Sequence, residues 1–289
     1  MVRSVKEQTN RPFTGPVSNL QRLWESGENV LTLQPPQLLT AGASDCVKQV
    51  AVQARQFDAV LAANASPGEI AVSSLAMAAL LKRAGIETIV QIGARDRNRL
   101  ALQSDLLGIG ALGIHNLLID IQPARPASLL QNADARPVAD LHGSALLAAA
   151  VRLRDEGRFI SGSSIKQPPV FYIGAFFSLE ERFQIEALSG AQFVVTPPVD
   201  DVHRFIAAFA AFQASYPDFL RTRPLLVSLP LTTPFAGESI GAGEAGIQQL
   251  AASTKALRGC QAIRGFNITV GRQSDLAALE QIVRTINAQ

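Results

Sequence analysis

Val90-Gln-Ile-Gly-Ala-Arg-Asp-Arg-Asn-Arg-Leu-Ala-Leu-Gln-Ser-Asp-Leu-Leu-Gly-Ile-Gly-Ala-Leu-Gly-Ile114 runs from within a strand through the helix that follows it. The apolar, β-branched run Thr88–Ile92 reads as a strand, and four polar residues follow it, Arg95-Asp96-Arg97-Asn98. Beyond them a helix is predicted over Arg97–Leu112, with an apolar face through Leu100, Leu106, Leu107 and Leu112, stopped by Gly113. A strand that is apolar throughout, rather than at every second residue, is one covered on both faces. That is the situation of a parallel strand flanked by helices.

The same unit recurs along the chain. Further strands are predicted at Asn29–Leu33, Ala59–Ala63, Asn116–Ile121, Val170–Ala175, Phe193–Thr196, Leu225–Leu229 and Gly265–Val270. Helices are predicted at Ser44–Arg55, Ser73–Arg83, Ala139–Arg154, Leu179–Leu188, Val202–Ala214, Gly246–Leu257 and Asp275–Ile286, with Asp201 and Ser274 as caps for two of them. Strands and helices alternate eightfold within about the 250 residues typical of a (β/α)8 TIM barrel. The expectation is therefore an α/β protein with one barrel domain over residues 29–289, with an open doubly wound sheet as the alternative. Residues 1–28 stand outside the pattern as an N-terminal extension. Leu20, Leu23 and Trp24 within it suit a short amphipathic helix that plugs the bottom of the barrel.

Composition narrows the function classes. The 289 residues are 47% hydrophobic and carry a net charge of only +2, without long basic or acidic runs. Neither a nucleic-acid surface nor an anionic membrane surface has an electrostatic footprint here. Cys46 and Cys260 are too few and too distant for a disulfide framework or a zinc site, and His115, His142 and His203 are scattered. The N-terminus lacks the apolar core of a signal peptide, and no apolar run is of membrane-spanning length, so a cytoplasmic location is expected. Gly241-Ala-Gly-Glu-Ala-Gly246 has dinucleotide-fingerprint spacing but follows a Thr-Pro loop, so it reads as a loop entering a helix.

The Val90–Ile114 segment resembles the third strand and following helix of methylenetetrahydrofolate reductases, a region that reads close to CRDRNRxxLQSDLLGAxxLGI in many members. Val72–Leu81 resembles the family's second helix, and Ser189–Asp201 is similar to its AGAxFxxTQPVFD stretch. The resemblance implies a barrel that binds a reduced folate and FAD. NAD(P)H reduces the flavin, which passes hydride to the folate methylene group. Strand C-termini carry the chemistry of such barrels. The implied catalytic residues are Thr32, Gln34, Asp120 and Gln122. The implied cofactor contacts are Gln91, Arg95, Asp96, Arg97 and Asn98, with Phe176 and Phe177 available to stack on an aromatic ring.

Against the family pattern, four positions differ. The first strand's Glu-Phe-Phe-Pro-Pro motif is matched by Thr32-Leu-Gln-Pro-Pro36, which puts Thr32 in place of the general acid, and a hydroxyl is not a tuned proton donor. The fourth strand reads Leu118-Ile-Asp-Ile-Gln-Pro123, so the family Asp falls on Pro123. Asp120 lies three residues earlier, on the opposite face by strand alternation. Pro197 stands where the family has a substrate-contacting Gln, and Glu186 where it has a flavin-binding Lys. Two readings follow. One is an oxidoreductase of one-carbon metabolism, passing hydride between NAD(P)H and methylene- or methyltetrahydrofolate, through FAD or directly. The other is a non-redox folate-binding or accessory barrel, alone as a homo-oligomer or with a partner protein. A third, a barrel for another small molecule, has only Asp200, Asp201 and His203 as an acid/base cluster, and these better suit a capped and solvated helix start.

Overall fold

The computed structural model describes residues 15–65, 69–121, 138, 140–179, 185–231, 234–235, 238–239 and 243–288. Eight parallel strands close into a barrel: β1 (Val30–Gln34), β2 (Ala59–Ala62), β3 (Thr88–Gly93), β4 (Asn116–Asp120), β5 (Tyr172–Phe176), β6 (Phe193–Val195), β7 (Leu225–Pro230) and β10 (Ile263–Thr269). Closure is made by β10, which pairs with β1 from Val30↔Gly265 to Gln34↔Thr269. The open-sheet alternative is thereby set aside. β8 (Pro234–Phe235) and β9 (Glu238–Ser239) form a short antiparallel pair between β7 and the next helix.

Around the strands run α2 (Ala43–Ala54), α3 (Ser74–Arg83), α4 (Arg99–Ala111), α5 (Gly143–Glu156), α6 (Val202–Ser215), α7 (Glu244–Arg258) and α8 (Leu279–Asn287). Strand alternation divides the core in two. Val90, Ile92, Leu117, Ile119, Ile173, Val227 and Ile268 point outward and pack with Leu81, Leu102, Leu106 and Leu146 of the helices. Ile89, Leu118, Tyr172, Phe193 and Leu226 point inward and fill the lower barrel. Both faces are buried, which is why the lower part of these strands is apolar on both sides.

The N-terminal segment forms α1 (Asn19–Glu25), with Ser18 capping it by accepting from Gln21 N. Leu20, Leu23 and Trp24 are buried in the inner cluster, so α1 closes the barrel at the strand N-termini, as its apolar spacing suggests. Trp24 lies 5.2 Å from the Phe193 ring and 6.0 Å from Tyr172, and its Nε1 donates to Arg264 O at 2.9 Å.

Several expected elements are shifted. The buried face of α4 is Leu102, Leu106 and Ile109, whereas Leu100, Leu107 and Leu112 are at least partly exposed. Three of the four leucines named from the sequence thus lie off the core side, because at 3.6 residues per turn Leu102, Leu106 and Ile109 share one face whereas Leu100 and Leu107 lie on the other. Asp275 opens no regular helix: Gln273–Ala278 is a 3-10 turn that contains Ser274, and α8 follows it. Asp201 does cap α6, accepting from Arg204 N at 2.9 Å. Of the Leu179–Leu188 helix, the described part is a 3-10 turn at Glu186–Leu188, and residues 180–184 lie outside the described residues, as do Ala139, Gly241 and Ala242.

Candidate active site at the strand C-termini

Going up the inner face, the residues change from apolar to polar. Thr32, Asn267 and Ser228 are register partners across β1, β10 and β7. Thr32 Oγ1 donates to Asn267 Oδ1 at 2.9 Å, and Asn267 Nδ2 donates to Ser228 Oγ at 3.2 Å and to Gln34 Oε1 at 3.4 Å. Ser228 N donates in turn to Thr196 Oγ1 at 2.9 Å. Thr32 and Asn267 have no exposed surface. This ladder is the floor of the site, and its members satisfy one another as buried polar groups must.

Above the floor, the βα loops after β2 and β3 are stitched together by Asn64. Gln91 Oε1 accepts from Asn64 N at 3.0 Å. With the Asn64 amide oxygen accepting from Gly93 N at 3.1 Å, its nitrogen donates to Gln91 O and to Ser74 Oγ at 3.2 and 2.8 Å. Arg95 Nη2 donates to Ala65 O at 3.1 Å, and its Nε donates to Asp96 at 2.7 Å. Asp96 has φ 64, the left-handed region, a conformation that Asp tolerates better than most residues and that turns the chain sharply at the strand end.

These loops bound a cleft of about 300 Å³, lined by Asn64, Glu69, Gly93, Arg95, Asp96 and Asp120 among others. Gly93 and Asp120 are register partners, and a Cβ on Gly93 would lie 3.4 Å from Asp120 Cβ. Glycine thus leaves the space beside Asp120 open. Asp120 shares strand parity with Leu118 of the inner cluster, so it faces the barrel mouth, and the opposite-face expectation is corrected. It is the only carboxylate in the eight barrel strands.

The other sequence-predicted residues separate cleanly. Phe176, half-buried, packs against the inner cluster, and its ring belongs to the barrel interior. Phe177 points the other way. It is 2% exposed and packs on Phe212 and Phe219 at ring distances of 4.9 and 5.6 Å, so the stacking role expected for it is corrected to a core role. Arg97 Nη1 is paired with Asp105 at 2.6 Å. Asn98 is the N-cap of α4, its Oδ1 accepting from Leu100 N and Ala101 N at 3.1 and 3.0 Å. Asn98→Ala is therefore expected to cost about 1 kcal/mol of stability, read by urea denaturation, with no direct effect on ligand contacts. Gln122 and Pro123 lie outside the described residues. Asn64, Glu69, Ser228 and Asn267 were missed. Asn64 follows a predicted strand directly, the same signal that singled out Arg95, and Asn267 is a lone amide in an otherwise apolar strand.

The implied flavin fits this arrangement poorly. Of the seven expected cofactor contacts, Phe177 is core, Asn98 a cap, Arg97 ion-paired, and Gln91 only 7% exposed with its oxygen engaged. Arg95 is the remaining cation of that set, and it is paired with Asp96. Those seven residues thus bring a flavin only one cation besides Arg97, and that cation is already paired.

No protein-family model matches the sequence, and no curated protein matches it. Solved structures do share its fold. A GH18 chitinase from Pseudoalteromonas aurantia superposes with a TM-score of 0.51 at 12% identity, over 88% of this chain and 99% of that one. A 2,3-dimethylmalate lyase of the PEP mutase/isocitrate lyase superfamily gives 0.51 at 14%, over 93% and 84%. DmoA from Hyphomicrobium sulfonivorans gives 0.52 at 8%, over 90% and 88%. At such identities the likeness is one of fold, and barrels of this kind host unrelated chemistries.

Proposed function

We propose that the barrel binds a reduced folate at its strand C-termini and acts as a methylenetetrahydrofolate reductase-like oxidoreductase, hydride passing directly between NAD(P)H and methylene- or methyltetrahydrofolate. The observation that carries this reading is Asp120. It is the one carboxylate of the barrel strands, it faces the mouth beside Gly93, and it adjoins the Arg95–Asp96 turn of the family-like segment. The reduced folate product carries an N–H at the nitrogen that receives the proton, and an ionised carboxyl beside it accepts from that N–H.

Reduction of a methylene carbon held between two nitrogens needs a proton on one nitrogen as hydride reaches the carbon. In its protonated form the Asp120 carboxyl supplies that proton, the role that Thr32 cannot fill because its hydroxyl is buried and donates to Asn267. Arg95 offers charge to the folate carboxylates at the open edge of the cleft. The burial of Thr32 also favours the second reading, a folate-binding barrel without redox chemistry. The two part on one assay: NAD(P)H absorbance followed with methylenetetrahydrofolate, on protein whose visible spectrum shows no flavin. Oxidation of NAD(P)H dependent on the folate supports the reductase. Folate binding without turnover in either direction contradicts it in favour of the non-redox barrel.

Among the described residues no helix is long and apolar enough to cross a membrane.

A further inference from the structure

At the opposite end from the rim, a groove of about 770 Å³ opens beneath the barrel, bounded by α1 and the N-terminal ends of β5, β6, β7 and β10. One strand irregularity serves it. Ile263 pairs with Leu225 and Gly265 with Leu226, so Arg264 is the extra residue of a β-bulge. Bulges re-aim the side chain they carry. Gly265 is required beside it, because a Cβ there would stand 2.3 Å from Val30 O. The Trp24 indole holds the bulge by donating to Arg264 O. Arg264 is half-buried and lines the groove, and its guanidinium has no salt bridge or hydrogen bond among the described residues.

A second group points to a ligand independently. Tyr172 is 5% exposed and lines the same groove, yet its hydroxyl has no hydrogen-bond partner among the described residues. Burial, reinforced by the nearby Glu25 charge, raises its pKa well above that of an ordinary phenol, so it is a fixed donor. A third group is preset. Arg223 donates to Ala191 O and Phe219 O, both at 3.1 Å, and sits 5.0 Å over the Phe219 ring. Arg221, an exposed partner of Asp218, and Glu25, which accepts from Gln21 Nε2, complete the charged lining. Guanidinium groups and a phenol outnumber the single carboxylate.

We propose that this groove is a second ligand site, for a phosphomonoester of mononucleotide size. The phosphate would sit on Arg264 and the Tyr172 hydroxyl, with Arg223 adding charge, since guanidinium and phenol N–H and O–H groups match a three-oxygen anion. The volume exceeds what a bare anion needs and falls in the range of small-molecule sites. The site is independent of the folate reading, being at the other end of the barrel.

Trp24 is the only tryptophan of the chain and lines the groove, so its fluorescence reports occupancy. Titration of the full chain with AMP is expected to shift Trp24 emission saturably, and inorganic phosphate is expected to bind at least tenfold more weakly. Arg264→Gln should weaken AMP at least tenfold, and Tyr172→Phe, which removes only a hydroxyl, about threefold or more. Asp120→Asn at the far rim should leave AMP binding unchanged. Absence of a saturable change and of any calorimetric heat with wild-type protein at millimolar AMP overturns the proposal. So does equal binding of AMP and phosphate, or wild-type affinity in a folded Arg264→Gln or Tyr172→Phe variant.

Discussion

Replacing Trp24 by alanine is expected to destabilise the fold by about 3–5 kcal/mol, the range for deleting a large buried aromatic side chain. The indole is 5% exposed and contacts the rings of Phe193 and Tyr172, themselves 5.1 Å apart, so its removal opens a void at the closed end of the barrel. The bulge carbonyl of Arg264 loses its donor at the same time, and an orphaned acceptor adds about 1–3 kcal/mol when water cannot reach it. Urea denaturation followed by far-ultraviolet circular dichroism reads the loss. A decrease under about 1 kcal/mol would mean that α1 is not part of the barrel's core.

The second large effect concerns chemistry. Asp120→Asn keeps the size and shape of the side chain but removes the acid, so NAD(P)H-dependent turnover of methylenetetrahydrofolate should fall at least about a hundredfold, in the range of lost acid–base catalysis. On the proposed reading Asp120 is the proton donor, so the decrease should appear in kcat and kcat/KM alike. Circular dichroism should be unchanged. Wild-type turnover in the variant would remove Asp120 from the reaction and leave the barrel strands without any carboxylic acid to replace Thr32.

The barrel was legible because its signal is repeated. Each of the eight strands is a short apolar run bounded by polar residues, and no single boundary error changes the alternation. The plug was legible for the same kind of reason, since Leu20, Leu23 and Trp24 share one face of a short helix. What failed was finer. On α4 the leucines lie all around the helix, so the apolar pattern alone did not say that Leu102, Leu106 and Ile109 form the buried side and Leu100 and Leu107 the outer one. Phe176 and Phe177 are adjacent, so strand alternation sends one inward and one outward, and composition cannot say which.

The site was legible only in outline. Arg95, Asp96 and Asp120, named for their place at strand ends, line the cleft, whereas Arg97 and Asn98, equally polar and equally placed, are taken up by Asp105 and by the start of α4. A polar residue at a strand end is thus claimed either by a helix terminus or by the cleft, and the choice is made by tertiary contacts. The floor ladder of Thr32, Asn267 and Ser228 joins β1, β10 and β7, elements 235 and 39 residues apart in its two side-chain bonds. Only the closed register brings them together.

Calorimetric titration of methyltetrahydrofolate into the wild-type chain, the Asp120→Asn variant and the Arg264→Gln variant tests the central claim most directly. The rim reading predicts saturable binding to wild type, at least about tenfold weaker binding to Asp120→Asn, in line with the loss of a charge-assisted hydrogen-bond acceptor, and unchanged binding to Arg264→Gln. No binding to wild type at millimolar ligand, or equal affinity in wild type and Asp120→Asn, would contradict a folate site at the strand C-termini.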